Sequence, residues 1–365
     1  MYPFGPGLDY VRNGWYAAGW SGDFGEALLT RTFLDEPVVL YRTSAGEAVA
    51  LADRCAHRAY PLSLGTRLGD TVRCGYHGFT YDGHGRCVAI PSQQHVPAAY
   101  GVRRYPTLER GGVVWIWMGE PNAADEAALP DLHELGLTDP NFHVDVGGVN
   151  TWRNRYQLIN ENLLDLSHIE FLHLGTIGTP NVAASPVVTT VHPHMIEATR
   201  TIHGDQATPL HKRALGIDGS MDRTTRSLFF PPGAHVTQVL MVAPGSNARF
   251  GQPGYFGEFK QAHLITPSTA IETYYFWSIA RTSHKDAQTS AFMLDAFRTV
   301  FAQDGVALEA QERSLQRDPH FHELSCKADE AALKARRLLA DAMTAENTVP
   351  RPLHAVSASS SRRPQ

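Results

Sequence analysis

Two groups of metal-ligating side chains stand out along the 365 residues. The first is Cys55-Ala-His57 followed by Cys74-Gly-Tyr-His77, with 16 residues (58–73) between the pairs. Each short loop offers one soft thiolate and one imidazole, so the two loops can converge on one site. A Cys2His2 set can hold a tetrahedral zinc as a structural staple. Alternatively, the thiolates hold one iron of a [2Fe–2S] cluster and the imidazoles hold the other, which raises the potential above that of an all-cysteine ferredoxin. The Cys-x-His spacing is tighter than that of common zinc motifs and favours the cluster. Cys87 and Cys326 lack a partner pattern and read as ordinary thiols.

The second group is Asn160-Glu-Asn162-Leu-Leu-Asp165-Leu-Ser-His168-Ile-Glu-Phe-Leu-His173. Apolar spacing predicts a helix from Ile159 to His168, on which Asp165 and His168, three apart, share a face. His173 lies five residues further on and returns to that face only where the helix ends or distorts. Gly175 and Gly178 provide for an ending. Two imidazoles and one carboxylate make the facial triad of non-haem Fe(II) oxygenases, with positions open for O2. The missing carboxylate is sought on an apolar helix face. In a helical pattern from Ser290 to Gln316, Asp304 falls in the stripe of Phe297, Val300, Phe301 and Leu308, where a carboxylate needs a cationic or metal partner. Asp304-Gly305 could instead mark a helix break with Asp304 as an N-cap. Asp295 and Glu309 compete from more polar faces.

Both motifs, in this order, resemble one family. Cys-Ala-His-Arg58, Pro61-Leu-Ser-Leu-Gly65 and Cys-Gly-Tyr-His-Gly78 look like a Rieske domain, with Asp82 to Arg86 and Ile90-Pro91 resembling its hairpin and proline loop. Asp165-x2-His168-x4-His173 and Phe301-Ala-Gln-Asp304…Glu309-Ala-Gln311 resemble the mononuclear-iron segments of Rieske non-haem iron oxygenases, most closely the vanillate and dicamba O-demethylase group. The resemblance implies that Cys55, His57, Cys74 and His77 bind a [2Fe–2S] Rieske cluster and that His168, His173 and Asp304 bind a mononuclear Fe(II). Asp165 would bridge a Rieske histidine of one subunit to an iron-bound histidine of the next, and Asn162 would stand near the iron. It further implies a homotrimer and a separate ferredoxin or flavin reductase. The activity implied is oxidation of a small aromatic substrate with O2, foremost O-demethylation of a methoxylated aromatic acid with formaldehyde release. N-demethylation or ring or side-chain hydroxylation are alternatives, and a non-catalytic Rieske electron carrier is a more distant one.

The elements that must position these residues follow from pattern. Residues 1 to about 120 read as all-β, with strands at Pro37–Tyr41, Ala48–Ala52 and Gly112–Met118 separated by turn clusters. Pro121 to Pro130 reads as a linker. Residues 121–350 form a second domain of mixed helix and strand. Its strands include 263–266 and 271–279, joined by Pro267-Ser-Thr-Ala270. A helix from Lys327 to Glu346 carries an apolar stripe of Leu333, Ala335, Leu338 and Leu339. Residues 351–365 read as a disordered tail. The fold expected is α+β, an all-β Rieske domain followed by an antiparallel sheet flanked by helices, helix-grip-like by resemblance. A formal net charge of −5 argues against a general nucleic-acid binder. No apolar run approaches the roughly 20 residues that span a bilayer. Four cysteines suit a reducing compartment, so a cytoplasmic protein without membrane attachment is expected. Arg200, His203, His211, Lys212, Arg213 and Arg226 read individually as surface charges, and none is assigned to substrate.

Overall fold

In the computed structural model, residue 4, residues 9–318 and residues 320–348 are described. The expected tail at 351–365 lies outside them. The N-terminal region is built from three small antiparallel sheets. One joins Trp15–Trp20, Val113–Trp117 and Thr107–Arg110. The second runs Leu29–Phe33, Glu36–Arg42, Ala48–Ala52 and Arg104–Tyr105, and the third Thr66–Leu68, Thr71–Arg73, Thr80–Tyr81 and Cys87–Ala89. Strand Val113–Trp117 is buried throughout because its alternating side chains feed two cores. Val113, Trp115 and Trp117 join one apolar cluster, and Val114 and Ile116 another.

The C-terminal region centres on a seven-stranded antiparallel sheet. Its spatial order is His143–Trp152, Glu272–Arg281, Tyr255–Thr269, Ala234–Val242, Ser220–Phe230, Ile196–Gln206 and Val188–Val191. Period-two alternation gives each central strand two destinations. Phe259, Ile265, Tyr275, Trp277 and Ile279 pack beneath the helices, whereas Ala262, Leu264 and Phe276 pack against Trp15, Trp20, Trp115 and Trp117. The sheet is thus held between helices on one face and the N-terminal region on the other. The segment read as a linker is pinned at this junction. It makes two short 3-10 turns, Trp15 Nε1 donates to the Asp125 carbonyl at 2.7 Å, and Ala124 and Leu129 pack on the tryptophan cluster.

The helices are α1 (Tyr156–Leu164), α2 (Ile169–Leu172), α3 (Pro209–Leu215), α4 (Ala287–Arg317) and α5 (Glu330–Thr348). In α5 the apolar stripe is Ala331, Ala335, Leu339 and Met343, while Leu333 is exposed beside it. Helix α4 runs unbroken through Asp304-Gly305, so the N-cap alternative is excluded. Gly305 serves close packing, since a Cβ there would stand 2.9 Å from Trp152 Nε1. No helix among the described residues is long and apolar enough to cross a membrane.

A buried ion pair fastens α4 to the start of α1. Glu312 accepts from the Arg155 backbone N–H at 3.1 Å, from Nε at 2.6 Å and from Nη2 at 2.7 Å, and from Gln316 Nε2 at 3.0 Å. Burial alone would raise the Glu312 carboxyl, but these donors outweigh it and hold it below the usual carboxylate range. The linked stability is present at neutral pH and is lost as pH falls through that lowered value. Glu312→Ala, which leaves Arg155 buried without its carboxylate, should cost about 3–5 kcal/mol in a denaturant titration. An unchanged midpoint would contradict this anchoring role.

Candidate functional site

The first candidate site is made by two loops that fold alike. In each, the cysteine N–H bonds the carbonyl five residues on and the cysteine carbonyl accepts the N–H four residues on. The pairs are Cys55 with Tyr60 and Ala59, and Cys74 with Phe79 and Gly78, at 2.8 to 3.1 Å. Repetition of one turn places Cys55 and Cys74 inward, each 3% exposed. It leaves His57 and His77 exposed, with ring centroids 4.5 Å apart and planes at 70°. His57 also stacks on Phe79 at 4.7 Å. The Tyr81 hydroxyl lies 3.2 Å from Cys55 Sγ and accepts the Ala56 N–H at 3.1 Å. Burial pushes the Cys74 thiol up, so a thiolate here needs positive charge beside it. Two buried sulfurs behind two solvent-facing imidazoles fit a two-iron cluster whose ligands are divided between the metals.

At the second site, His168, His173 and Asp304 bring one ligand atom each to within 4.8 Å of one another. Asp304 Oδ1 lies 3.2 Å from His173 Nε2 and 3.6 Å from His168 Nε2. Asp304 and His173 are buried, and His168 is partly exposed. Among the described residues this is the one gathering of three or more such side chains within a single ion's reach. A buried carboxylate beside two imidazoles, with Asn162 Nδ2 also donating to it at 3.2 Å, fits a divalent cation.

Local structure differs from the expected helix and explains how the ligands meet. Helix α1 begins three residues earlier than expected and stops at Leu164, before His168. Asp165 Oδ1 accepts the Ser167 N–H at 2.7 Å and the Ser167 hydroxyl at 2.6 Å, a local bond that competes with helix propagation. Leu166 is buried behind the break, its carbonyl taken by Arg200 Nη1 at 2.6 Å. Asp165 and His168 therefore do not share a helix face. His168 Nδ1 stands 3.9 Å from Asp165 Oδ2 and has no hydrogen-bond partner among the described residues. After the single turn of α2 the chain closes at Gly178, whose N–H bonds the His173 carbonyl at 3.0 Å. A Cβ on Gly178 would stand 2.2 Å from the Ile169 carbonyl oxygen, so the expected glycine ending holds by close approach.

The competing carboxylates are accounted for. Asp295 is exposed, and Glu309 accepts the Arg153 N–H at 3.0 Å. Sequence reasoning passed over Gln303, whose Oε1 lies 2.8 Å from His173 Nδ1. That bond holds Nδ1–H on Gln303 and turns Nε2 toward Asp304 and the ion site. Position 303 is polar in an apolar helix stretch, but only the fold brings it to His173. Gln303→Leu should weaken iron binding by about 10–100-fold with the cluster retained, as read by iron titration. Unchanged affinity would remove Gln303 from this role.

Burial pulls the His173 imidazole down, yet its hydrogen bond to Asp304 and that residue's charge outweigh burial and raise it. At His168 burial wins and lowers the imidazole against the pull of Asp304 and Asp165. The site opens inward to a cavity of about 60 Å³ lined mainly by Leu166, Ile169, Ile177, Phe297, Val300 and Phe301. Two side chains read as surface charges, Arg200 and His211, are buried. Arg200 shares the inward face of its strand with Ile196, Ala198 and Ile202, and His211 closes the N-terminal turn of α3 with Thr208.

Comparison with known proteins follows both halves of this description. Residues 14–106 match the Rieske [2Fe-2S] domain model, and residues 152–345 match the vanillate O-demethylase oxygenase C-terminal domain model. The chain is 35% identical over 343 residues to a putative toluene-4-sulfonate monooxygenase system iron-sulfur subunit of Comamonas testosteroni, covering 92% of this chain and 98% of that protein. It is 32% identical to a vanillate O-demethylase oxygenase subunit of a Pseudomonas strain, covering 86% and 95%. A crystal structure of dicamba monooxygenase bound to 3,6-dichlorosalicylic acid superposes with a TM-score of 0.85 at 28% identity, covering 93% of this chain and all of that one.

Proposed function

The chain belongs to the Rieske non-haem iron oxygenases of the vanillate O-demethylase type, and on that premise we propose that it oxidises a methyl carbon on a small aromatic acid, foremost by O-demethylation of a methoxylated one. The protein is an oxygenase component carrying a Rieske [2Fe–2S] cluster and a mononuclear iron. The observation that carries the reading is the trio His168, His173 and Asp304 at the mouth of a small, largely apolar cavity. When bound, the two metal centres store electrons and activate O2. Cys55, His57, Cys74 and His77 would hold the cluster, and His168, His173 and Asp304 the mononuclear iron. The chain's own side chains supply the rest. Gln303 fixes the His173 ring, Asn162 orients the Asp304 carboxylate, and Phe297, Val300 and Phe301 keep water from the substrate methyl group. One oxygen atom enters the methyl C–H bond and the other leaves as water, with two electrons and two protons consumed. The hemiacetal so formed releases a phenol and formaldehyde.

Electrons would come singly from a separate ferredoxin or flavin reductase. His57 and His77 have ring contacts only with each other, Phe79 and Tyr76 among the described residues. The reading therefore places a neighbouring subunit's Rieske edge over Asp165 and His168, in a head-to-tail trimer closed as a ring. An open groove of about 320 Å³ lies there, floored by Glu161, Asn162, Asp165 and His168 and rimmed by exposed Leu324 and Leu333. Similarity to the toluene-4-sulfonate monooxygenase subunit favours a second reading, hydroxylation of an aryl methyl group on an aromatic sulfonate. Incubation of the loaded protein with a surrogate reductase and paired methoxy and methyl aromatic acids tests both. Formaldehyde with O2 uptake supports demethylation, a benzylic alcohol supports the second reading, and neither product contradicts both.

A further inference from the structure

Behind the iron-ligand trio the pocket continues as a second cavity of about 50 Å³, sharing Ile169, Ile177, Thr237, Gln261 and Phe297 with the first. Its walls are mostly apolar, but three buried polar side chains line it, and two of them, Gln261 and Arg223, carry an N–H without an acceptor among the described residues. Gln261 is 4% exposed, and its Nε2 has no partner. Arg223 is 5% exposed. It gives Nη1 to the Ile177 carbonyl at 2.9 Å and Nη2 to Thr179 Oγ1 at 3.0 Å, and pairs with Asp205 at 2.8 Å, while Nε has no acceptor. His211 is 2% exposed, and its Nδ1 accepts the Thr208 backbone N–H at 3.2 Å. With a neutral ring, that bond places the proton on Nε2. Burial, with the Arg223 charge adding to it, lowers the His211 imidazole to about 3, so it stands as a neutral donor at working pH.

Buried donors without acceptors carry a desolvation penalty that a ligand oxygen relieves. Here the two from Gln261 and Arg223 lie, with the His211 ring, in the lining of a mostly apolar cavity that shares a wall with the pocket at the iron ligands. Asp205 already balances the charge of Arg223, so recognition rests on fixed N–H donors more than on net positive charge. We propose that this inner cavity is the acid-recognition end of the pocket, where Gln261, Arg223 and His211 take the oxygens of an aromatic carboxylate or sulfonate and so aim the opposite end of the ring at His168, His173 and Asp304. This assignment rests on the aromatic-acid reading above and names its specificity-determining residues.

Calorimetric titration of the loaded protein tests it with three probes: 4-methoxybenzoate, toluene-4-sulfonate and the neutral 4-methylanisole. Wild type should bind at least one of the anions about tenfold or more tighter than the neutral ether, and the tighter anion identifies the oxyanion that fits. Gln261→Glu sets a carboxylate against the ligand and should weaken anion binding at least about tenfold while leaving the ether within about threefold. Gln261→Leu removes the donor without adding charge, keeps Asp205 paired, and should shift the same ratio in the same direction. Anion binding as tight as wild type in both variants, or no wild-type preference for the anions, overturns the subsite. Formaldehyde release with an unchanged anion-to-ether ratio in both variants overturns the subsite and leaves the demethylation reading standing. Gln261-dependent anion binding without any oxidised product supports the subsite and contradicts that reading.

Discussion

Replacing Asp304 by alanine should reduce oxygenation to the level of the reductase alone while leaving the iron–sulfur spectrum unchanged. Asp304 is the carboxylate that meets both imidazoles, through one oxygen at 3.2 and 3.6 Å, and it sits inside the apolar stripe of α4. Two neutral imidazoles alone make a poor seat for a divalent iron, and among the described residues no other carboxylate gathers with both of them. Glu309 is engaged by the Arg153 N–H on another face of the helix. Iron should fall from about three to about two per chain, with acid-labile sulfide constant at about two. Because a buried carboxylate without its cation is costly, the variant should melt no lower than iron-free wild type. Full iron and full turnover in Asp304→Ala would move the third ligand elsewhere, with Glu309 the first to test.

Asp165→Asn should load both metal centres normally and accept electrons into the cluster, yet pass them to the mononuclear iron about 100-fold more slowly. One Asp165 oxygen is committed to Ser167, through bonds of 2.7 and 2.6 Å that break the helix. The other faces His168 Nδ1 at 3.9 Å, too far for a hydrogen bond, which leaves it able to take an N–H from outside the subunit. An asparagine keeps its oxygen on Ser167, so the turn survives. Its amide then presents N–H to an imidazole N–H, and the bridge is lost without disturbing the ligands. Rapid-mixing measurement of cluster oxidation with substrate and O2 present reads this directly. Wild-type oxidation rates in the variant, or a fully active monomer, would contradict the inter-subunit route.

Much of this arrangement is legible in the residues. An unbroken apolar run marks the strand, read at 112–118 and found at Val113–Trp117, and helical periodicity marks the helix carrying Asp304 and favours Asp304 over Asp295 because burial follows the apolar stripe. The break in α1 is not legible in the same way. Leu158, Ile159 and Leu164 continue a helical spacing, and the chain leaves the helix because the Asp165 side chain offers its own backbone a competing bond, a choice that no period reveals. Arg200 is partly legible, since it alternates with Ile196, Ala198 and Ile202. His211, Arg223 and Gln261 come from α3 and from two strands that the sheet sets on either side of a third. Gln303 is likewise adjacent to Asp304 in sequence yet acts on His173, 130 residues away.

The most direct test of the account is a single turnover without any reductase. Protein with both centres loaded is chemically reduced, freed of reductant, and mixed with O2 and the anion that binds most tightly in its methoxylated form. The account predicts a burst of formaldehyde proportional to cluster oxidised in wild type, and cluster that stays reduced without formaldehyde in Asp304→Ala. Cluster oxidation without product across the methoxylated and methylated aromatic acids, or an equal burst from Asp304→Ala, would contradict it.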